Sequence, residues 1–254
     1  MLAVFCLRLA LGLLAALLLL SPAAVNPRFY RTHFLVVLGL TVVAALFLRS
    51  LAGLGQWLAL AAALLLAFAG SVVWSLEGAP GGRTLIVLSV AVLAAALVQA
   101  SLDPAEQTAP GRAGAAWLLA DDFTSAALLG TATTAMLLGH AYLIAPGMAS
   151  QPLLRLLAGL AVAVVLRGAV AGAALGSWTS EQPLSNLSTE ALLWLPVRWG
   201  LGIIGPLVLA FLTWQTAKIR STQSATGILY VVVIFCFLGE LTSQLLRSTT
   251  SHAL

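Results

Sequence analysis

Arg167 stands alone in the run LAGLAVAVVLRGAVAGAALG, with no other charge for a full spanning length around it. A guanidinium among hydrocarbon side chains costs a few kcal/mol on insertion scales, so it must face a carboxylate, an anionic ligand or water. Few other charged groups lie within the apolar runs. Glu240 interrupts YVVVIFCFLGELTSQLL, Arg198 falls in ALLWLPVRWGLGII, Arg8 lies in the first apolar run, and Asp121-Asp122 opens another. Arginines and carboxylates in such places pair as scaffold, hold an anionic headgroup or a quinone, or relay protons. Arg167, Glu240, Arg198 and Asp122 are the candidates for these roles, and Arg167 is expected to pair with Asp122 or Glu240.

Asp121 and Asp122 resemble a paired acid/base couple, but neighbours on a helix diverge by about 100°. They read better as negative charge complementing a helix N-terminus. A second, milder polar group holds His140 and Tyr142, together with Arg155, Gln215 and Gln223. His140 reads as a hydrogen-bonding residue near a helix end. As a haem ligand it would need a facing imidazole, for which His33 is the one partner within reach, so b-type haem is disfavoured. Metal hydrolysis is disfavoured by the lack of His-Glu-x-x-His, and neither a serine-hydrolase elbow nor a phosphate-cradling loop occurs. Cys6 and Cys236 are isolated in apolar runs, outside any Cys-x-x-Cys spacing.

The elements that must position these groups are long and apolar. Eight runs of spanning length are drawn at about 2–21, 34–49, 51–75, 84–101, 121–145, 151–176, 190–214 and 224–246, with seven as the fallback count. The second is short, and Arg49-Ser50 leaves almost no loop before the third. Ser21-Pro22-Ala23-Ala24 resembles a signal-peptide cleavage region, but the run before it is long enough to span and is read as a retained helix. Gly168, Gly172 and Gly176 recur every fourth residue, a spacing that permits close helix contact in lipid. Gly200, Gly202 and Gly205 precede Pro206, where a kink is expected.

At a rise of about 1.5 Å per residue, Arg167 lies roughly 14 Å, Arg198 roughly 12 Å and Glu240 roughly 9 Å below the same end of their helices. Asp121 and Asp122 start at that end, and Arg8 is roughly 10 Å in. Charge from five helices therefore falls in one layer. Arg28, Arg31, Arg83, Arg155, Lys218 and Arg220 flank one set of loops, against Arg49, Arg112 and Arg247 with Asp103, Glu106 and Glu181 on the other. This bias puts both termini outside and the charge layer near the outer face. Trp117 and Trp178 suit the headgroup zone. Asn186-Leu187-Ser188 matches a glycosylation acceptor by chance.

Composition supports the same class. Hydrophobic residues make up 61% and charged residues 8%, far from the quarter charged of a soluble domain, and mean hydropathy is +1.06. Eleven of the twelve basic residues are Arg, and with Ala and Leu dominant this points to a GC-rich bacterial genome and its cytoplasmic membrane. The sequence pI near 9.7 reflects few charges flanking spans, not nucleic-acid binding. With no nucleotide motif, transport driven by ATP through this chain alone is excluded.

The expected fold is a single all-α polytopic bundle. The expected role is an integral subunit of a larger membrane complex, inactive as a catalyst on its own, with other membrane subunits as partners and a quinone or bound lipid near the charge layer. The helix count is similar to that of the eight-helix quinol-interacting anchor subunits of molybdoenzyme complexes, a likeness of architecture. It implies an electron-transfer setting. The alternative is a small secondary transporter or channel for an anionic or proton-coupled substrate. A third, least supported, is an enzyme on lipid-linked substrates with His140 as base.

Overall fold

The protein's structure is a computed structural model that describes residues 2–48, 53–76, 78–103, 114–145, 147–181 and 189–249. Arg49, Glu106, Arg112, Pro146, His252 and the Asn186-Leu187-Ser188 triplet lie outside the described residues. Most of those described are helical, and none is in a strand. The elements are α1 (Leu2–Leu17), α2 (Pro27–Leu46), α3 (Leu54–Val73), α4 (Gly82–Leu102), α5 (Ala115–Ile144), α6 (Gln151–Glu181), α7 (Thr189–Trp199), a π turn (Gly200–Ile204), α8 (Gly205–Lys218) and α9 (Thr222–Thr249). α7, the π turn and α8 form one rod, Thr189–Lys218, so the described chain makes eight rods, seven of them long and apolar enough to cross a membrane. This is a polytopic α-helical membrane bundle.

The helices outrun their apolar stretches. α2 begins at Pro27, where fixed φ suits the first turn, and Asn26 before it caps the helix by accepting the Arg28 N–H at 2.9 Å. It is therefore 20 residues long, not the short span from 34 expected. α5 starts at Ala115, six residues before Asp121, and α6 continues to Glu181, past Gly176. Hydropathy marks where lipid begins; backbone hydrogen bonding carries the helix on into the headgroup zone.

α1 departs the other way. It stops at Leu17, and at 16 residues it is about 24 Å long, less than a hydrocarbon core of about 30 Å. Burial explains why a short helix suffices: 13 of its residues are buried, so neighbouring helices rather than lipid set its surroundings. α2, α4 and α5 pack around it, and Phe5 meets Phe237 of α9 edge-to-face at 5.5 Å. A Cβ on Gly12 would collide with the Ala126 carbonyl, and one on Gly130 with the Gly12 backbone. Two glycines thus let α1 and α5 touch backbone to backbone.

A second such crossing joins Gly202 of the π turn to Gly239 of α9, where a Cβ on Gly202 would sit 2.8 Å from the Gly239 Cα. Ahead of Pro206 the helix widens rather than breaks, and the Gly205 N–H reaches the carbonyl of Gly200, five residues back. The Gly168/Gly172/Gly176 series makes no backbone crossing. A Cβ at Gly168 would meet the Ile203 side chain, one at Gly172 the Trp199 ring, and one at Gly176 nothing within 4 Å.

Candidate functional site: a buried charge network

Arg167 leaves α6 pointing into the bundle and is fully buried. Its Nε donates to Glu240 Oε1 at 2.7 Å and its Nη2 to Glu240 Oε2 at 2.9 Å, a two-pronged pairing with α9. Nη2 also donates to Ser243 Oγ at 3.1 Å. Nη1 turns to α5, donating to the Asp121 carboxylate, to the Asp121 carbonyl at 3.3 Å and to Thr124 Oγ1 at 3.5 Å. Every nitrogen of this guanidinium has an acceptor.

Arg8, from α1, enters the same layer. It bonds the Asp122 carboxylate, reaches Asp121 Oδ2 at 3.1 Å and Ser125 Oγ at 3.5 Å, and lies 3.9 Å from Glu240. Arg247 of α9 closes the group from its edge, with Nη1 at 3.4 Å from both Asp121 Oδ2 and Asp122 Oδ1. Arg198, from α7, touches Glu240 Oε1 with Nη1 at 3.4 Å. Five helices, α1, α5, α6, α7 and α9, thus bring four arginines onto three carboxylates.

The positions follow from helix geometry. Glu240, Ser243 and Arg247 are spaced three and four residues apart, so they share one face of α9. Asp121 and Asp122 sit in the second turn of α5, and no acidic residue lies in its first. They do not serve as counter-charges to a helix start; they serve the arginines. Their 100° stagger splits the work: Asp121 takes Arg167, and Asp122 takes Arg8, not Arg167. Asp121, Asp122, Arg8, Arg167, Arg198 and Glu240 are all buried.

Arg247, placed on the tail from the sequence, belongs to the network; its spacing of seven from Glu240, two turns on one face, is the signal that finds it. Ser125, Thr124 and Ser243 carry no comparable signal, since serines and threonines occur throughout these spans.

His140 and Tyr142 lie apart from this layer, near the other end of α5. His140 is exposed, with Nδ1 3.4 Å from the Tyr230 hydroxyl of α9. Tyr142 is buried and donates to the Ala149 carbonyl at 2.5 Å, pinning the end of α5 to the turn before α6. His33 is buried on α2, its Nδ1 2.9 Å from the Phe29 carbonyl; α2 packs on α1 and α3, while His140 faces α9.

The network can hold helices in register, and it can present guanidinium donors to an anion. It offers no nucleophile activated by a base. No family model matches this chain, and no curated protein or solved structure is detectably similar to it.

Proposed function

We propose that the protein is an integral subunit of a larger membrane complex, seated in a bacterial cytoplasmic membrane with both ends outward and without catalytic activity of its own. The observation that carries this reading is the linking of five helices by one charge network: side chains from α1, α5, α6, α7 and α9 pair with one another inside the bundle. Exchanging a buried ion pair for apolar residues of equal volume is often neutral or stabilising. Such a network therefore adds little stability and much register, as a scaffold presenting fixed helix faces to partner subunits requires. A quinone or lipid headgroup at the charge layer, in an electron-transfer assembly, is the finer form of the proposal.

The test is purification of the tagged protein in mild detergent, with mass spectrometry of copurifying chains and an absorption spectrum of the same sample. Stoichiometric partner subunits are expected; a lone, colourless chain overturns the reading. One feature favours the alternative of a small secondary transporter or channel for an anionic or proton-coupled substrate. The π turn and the Gly202–Gly239 crossing sit beside Arg198, a place where a helix can bend about a charged group. Anion flux in liposomes that is lost in Arg167→Ala would decide for it.

A further inference from the structure

Arg167 and Arg198 are both fully buried, yet they are treated differently. Arg167 uses its Nε/Nη2 edge to grip Glu240. Arg198 gives Glu240 a single contact from Nη1 at 3.4 Å, and the same Nε/Nη2 edge has no partner at all. That edge is the flat, two-donor side of a guanidinium that matches two oxygens of a carboxylate or phosphate. Leaving it unsatisfied in a buried place is costly.

Its neighbours share the shortage. Gln244, one turn beyond Glu240 on α9, has an unpartnered amide nitrogen, and Trp199, whose ring turns toward Gly172 of α6, an unpartnered indole N–H. All four unpartnered buried atoms on α7 and α9 are thus nitrogens bearing hydrogen. The charge count points the same way, because four arginines face three carboxylates in the network. At the α7–α9 end of the network what is missing is an acceptor; the unpartnered carboxylate oxygen of the network, Asp122 Oδ2, lies on α5, where the other oxygen takes Arg8.

Access is built into the least supported element. Of the 11 residues of α7, two are buried, Ala191 and Arg198. α7 packs on α9 and on the π turn that follows it. Its outer end is held by a small apolar cluster of Ala191 with Trp178 and Leu246, separate from the main core. Segments with few buried contacts open first, and the π turn lies immediately behind Arg198 as a place to bend.

The geometry points to the open Nε/Nη2 edge of Arg198, with Gln244 one turn from Glu240 on α9, as the binding site for a phosphate-type oxyanion, seated between α7 and α9 and entered by displacing α7. Several donors from two helices suit a tetrahedral group with more than two oxygens better than a lone carboxylate. The phosphate is either free in solution or the headgroup of a lipid. The site does not depend on whether the protein is a subunit or a transporter.

Thermal unfolding of the full chain in uncharged detergent tests it, with two probes: inorganic phosphate against chloride at equal ionic strength, and phosphatidic acid against diacylglycerol in the micelle. A saturable rise in Tm with inorganic phosphate supports a soluble ligand, and a rise with phosphatidic acid alone supports a lipid headgroup. In either case Arg198→Gln should weaken binding at least about tenfold and Gln244→Leu by a smaller factor. If Arg198→Gln does not fold, Gln244→Leu decides, since Gln244 touches no ion pair. No rise with either probe overturns the site, as does a rise unchanged in all the variants that fold.

Discussion

At the scale of single residues, the decisive quantity is what remains when one partner of a buried pair is removed. Truncating one side strands the other charge, a loss of about 3–5 kcal/mol, whereas removing both is far milder. Arg167→Met should therefore destabilise the protein by about that amount, because it removes the two-pronged partner of Glu240 and one partner of Asp121. Adding Glu240→Leu should return at least about 1 kcal/mol, a coupling typical of residues in one network. Thermal unfolding of the two single variants and the double measures it, and simple additivity would show that the pair is not coupled. Arg167 itself was legible from the sequence because a lone guanidinium in 20 apolar residues needs an answer, and Glu240 supplies it. Which aspartate would help was not legible, since the choice between Asp121 and Asp122 turns on where α5 begins, and that start lies beyond the apolar run. Arg8 and Arg247 depend on tertiary placement in the same way: one reaches in from the central helix, the other from the edge.

At the scale of elements, small residues decide how closely helices approach, but spacing alone does not say which glycines are used. The regular Gly168/Gly172/Gly176 series is the most conspicuous pattern in the sequence, yet the backbone crossings fall at Gly12–Gly130 and Gly202–Gly239, each joining glycines of two different rods. A repeat is visible within one helix; a crossing needs both. Gly12→Ala must then push α1 away from the Ala126 carbonyl, and because the obstacle is backbone the loss should be at the upper end of the about 1–3 kcal/mol seen for overpacking. Gly176→Ala meets nothing and should be neutral to slightly stabilising, since alanine favours the helix. Size-exclusion chromatography after a heating series separates the two outcomes. Equal behaviour of both variants would mean that the α1–α5 contact is not the tight joint that holds the central helix.

At the scale of the whole molecule, the network fixes how the chain ends relate. Arg8 lies six residues after the first residue of α1, Arg247 two before the last of α9, and both touch the Asp122 carboxylate. The start of α1 and the end of α9 therefore lie at the same end of the bundle, as eight successive rods running up and down require. The eight helical rods were legible because lipid imposes long apolar runs whatever the tertiary fold, and seven of them are long and apolar enough to cross; that the first run, drawn at 2–21, becomes the 16-residue α1 at the buried centre was not, because hydropathy cannot distinguish a helix wrapped by lipid from one wrapped by helices. Which membrane face the ends occupy rests on the loop arginines: Arg28, Arg31, Arg83 and Arg220 all sit at the end opposite the charge network. In the orientation proposed above, which follows the positive-inside rule, that end lies in the cytoplasm and the charge network toward the outside. An alkaline phosphatase fused after Leu254 should then be active and a green fluorescent protein dark there, with the reverse for fusions at Gly147, in the turn between α5 and α6. The opposite pattern at both sites would invert the whole bundle and bring the charge layer, with Arg198, to the cytoplasmic side. Matching signals at the two sites would break the alternation of crossings and remove one of the eight rods from the membrane.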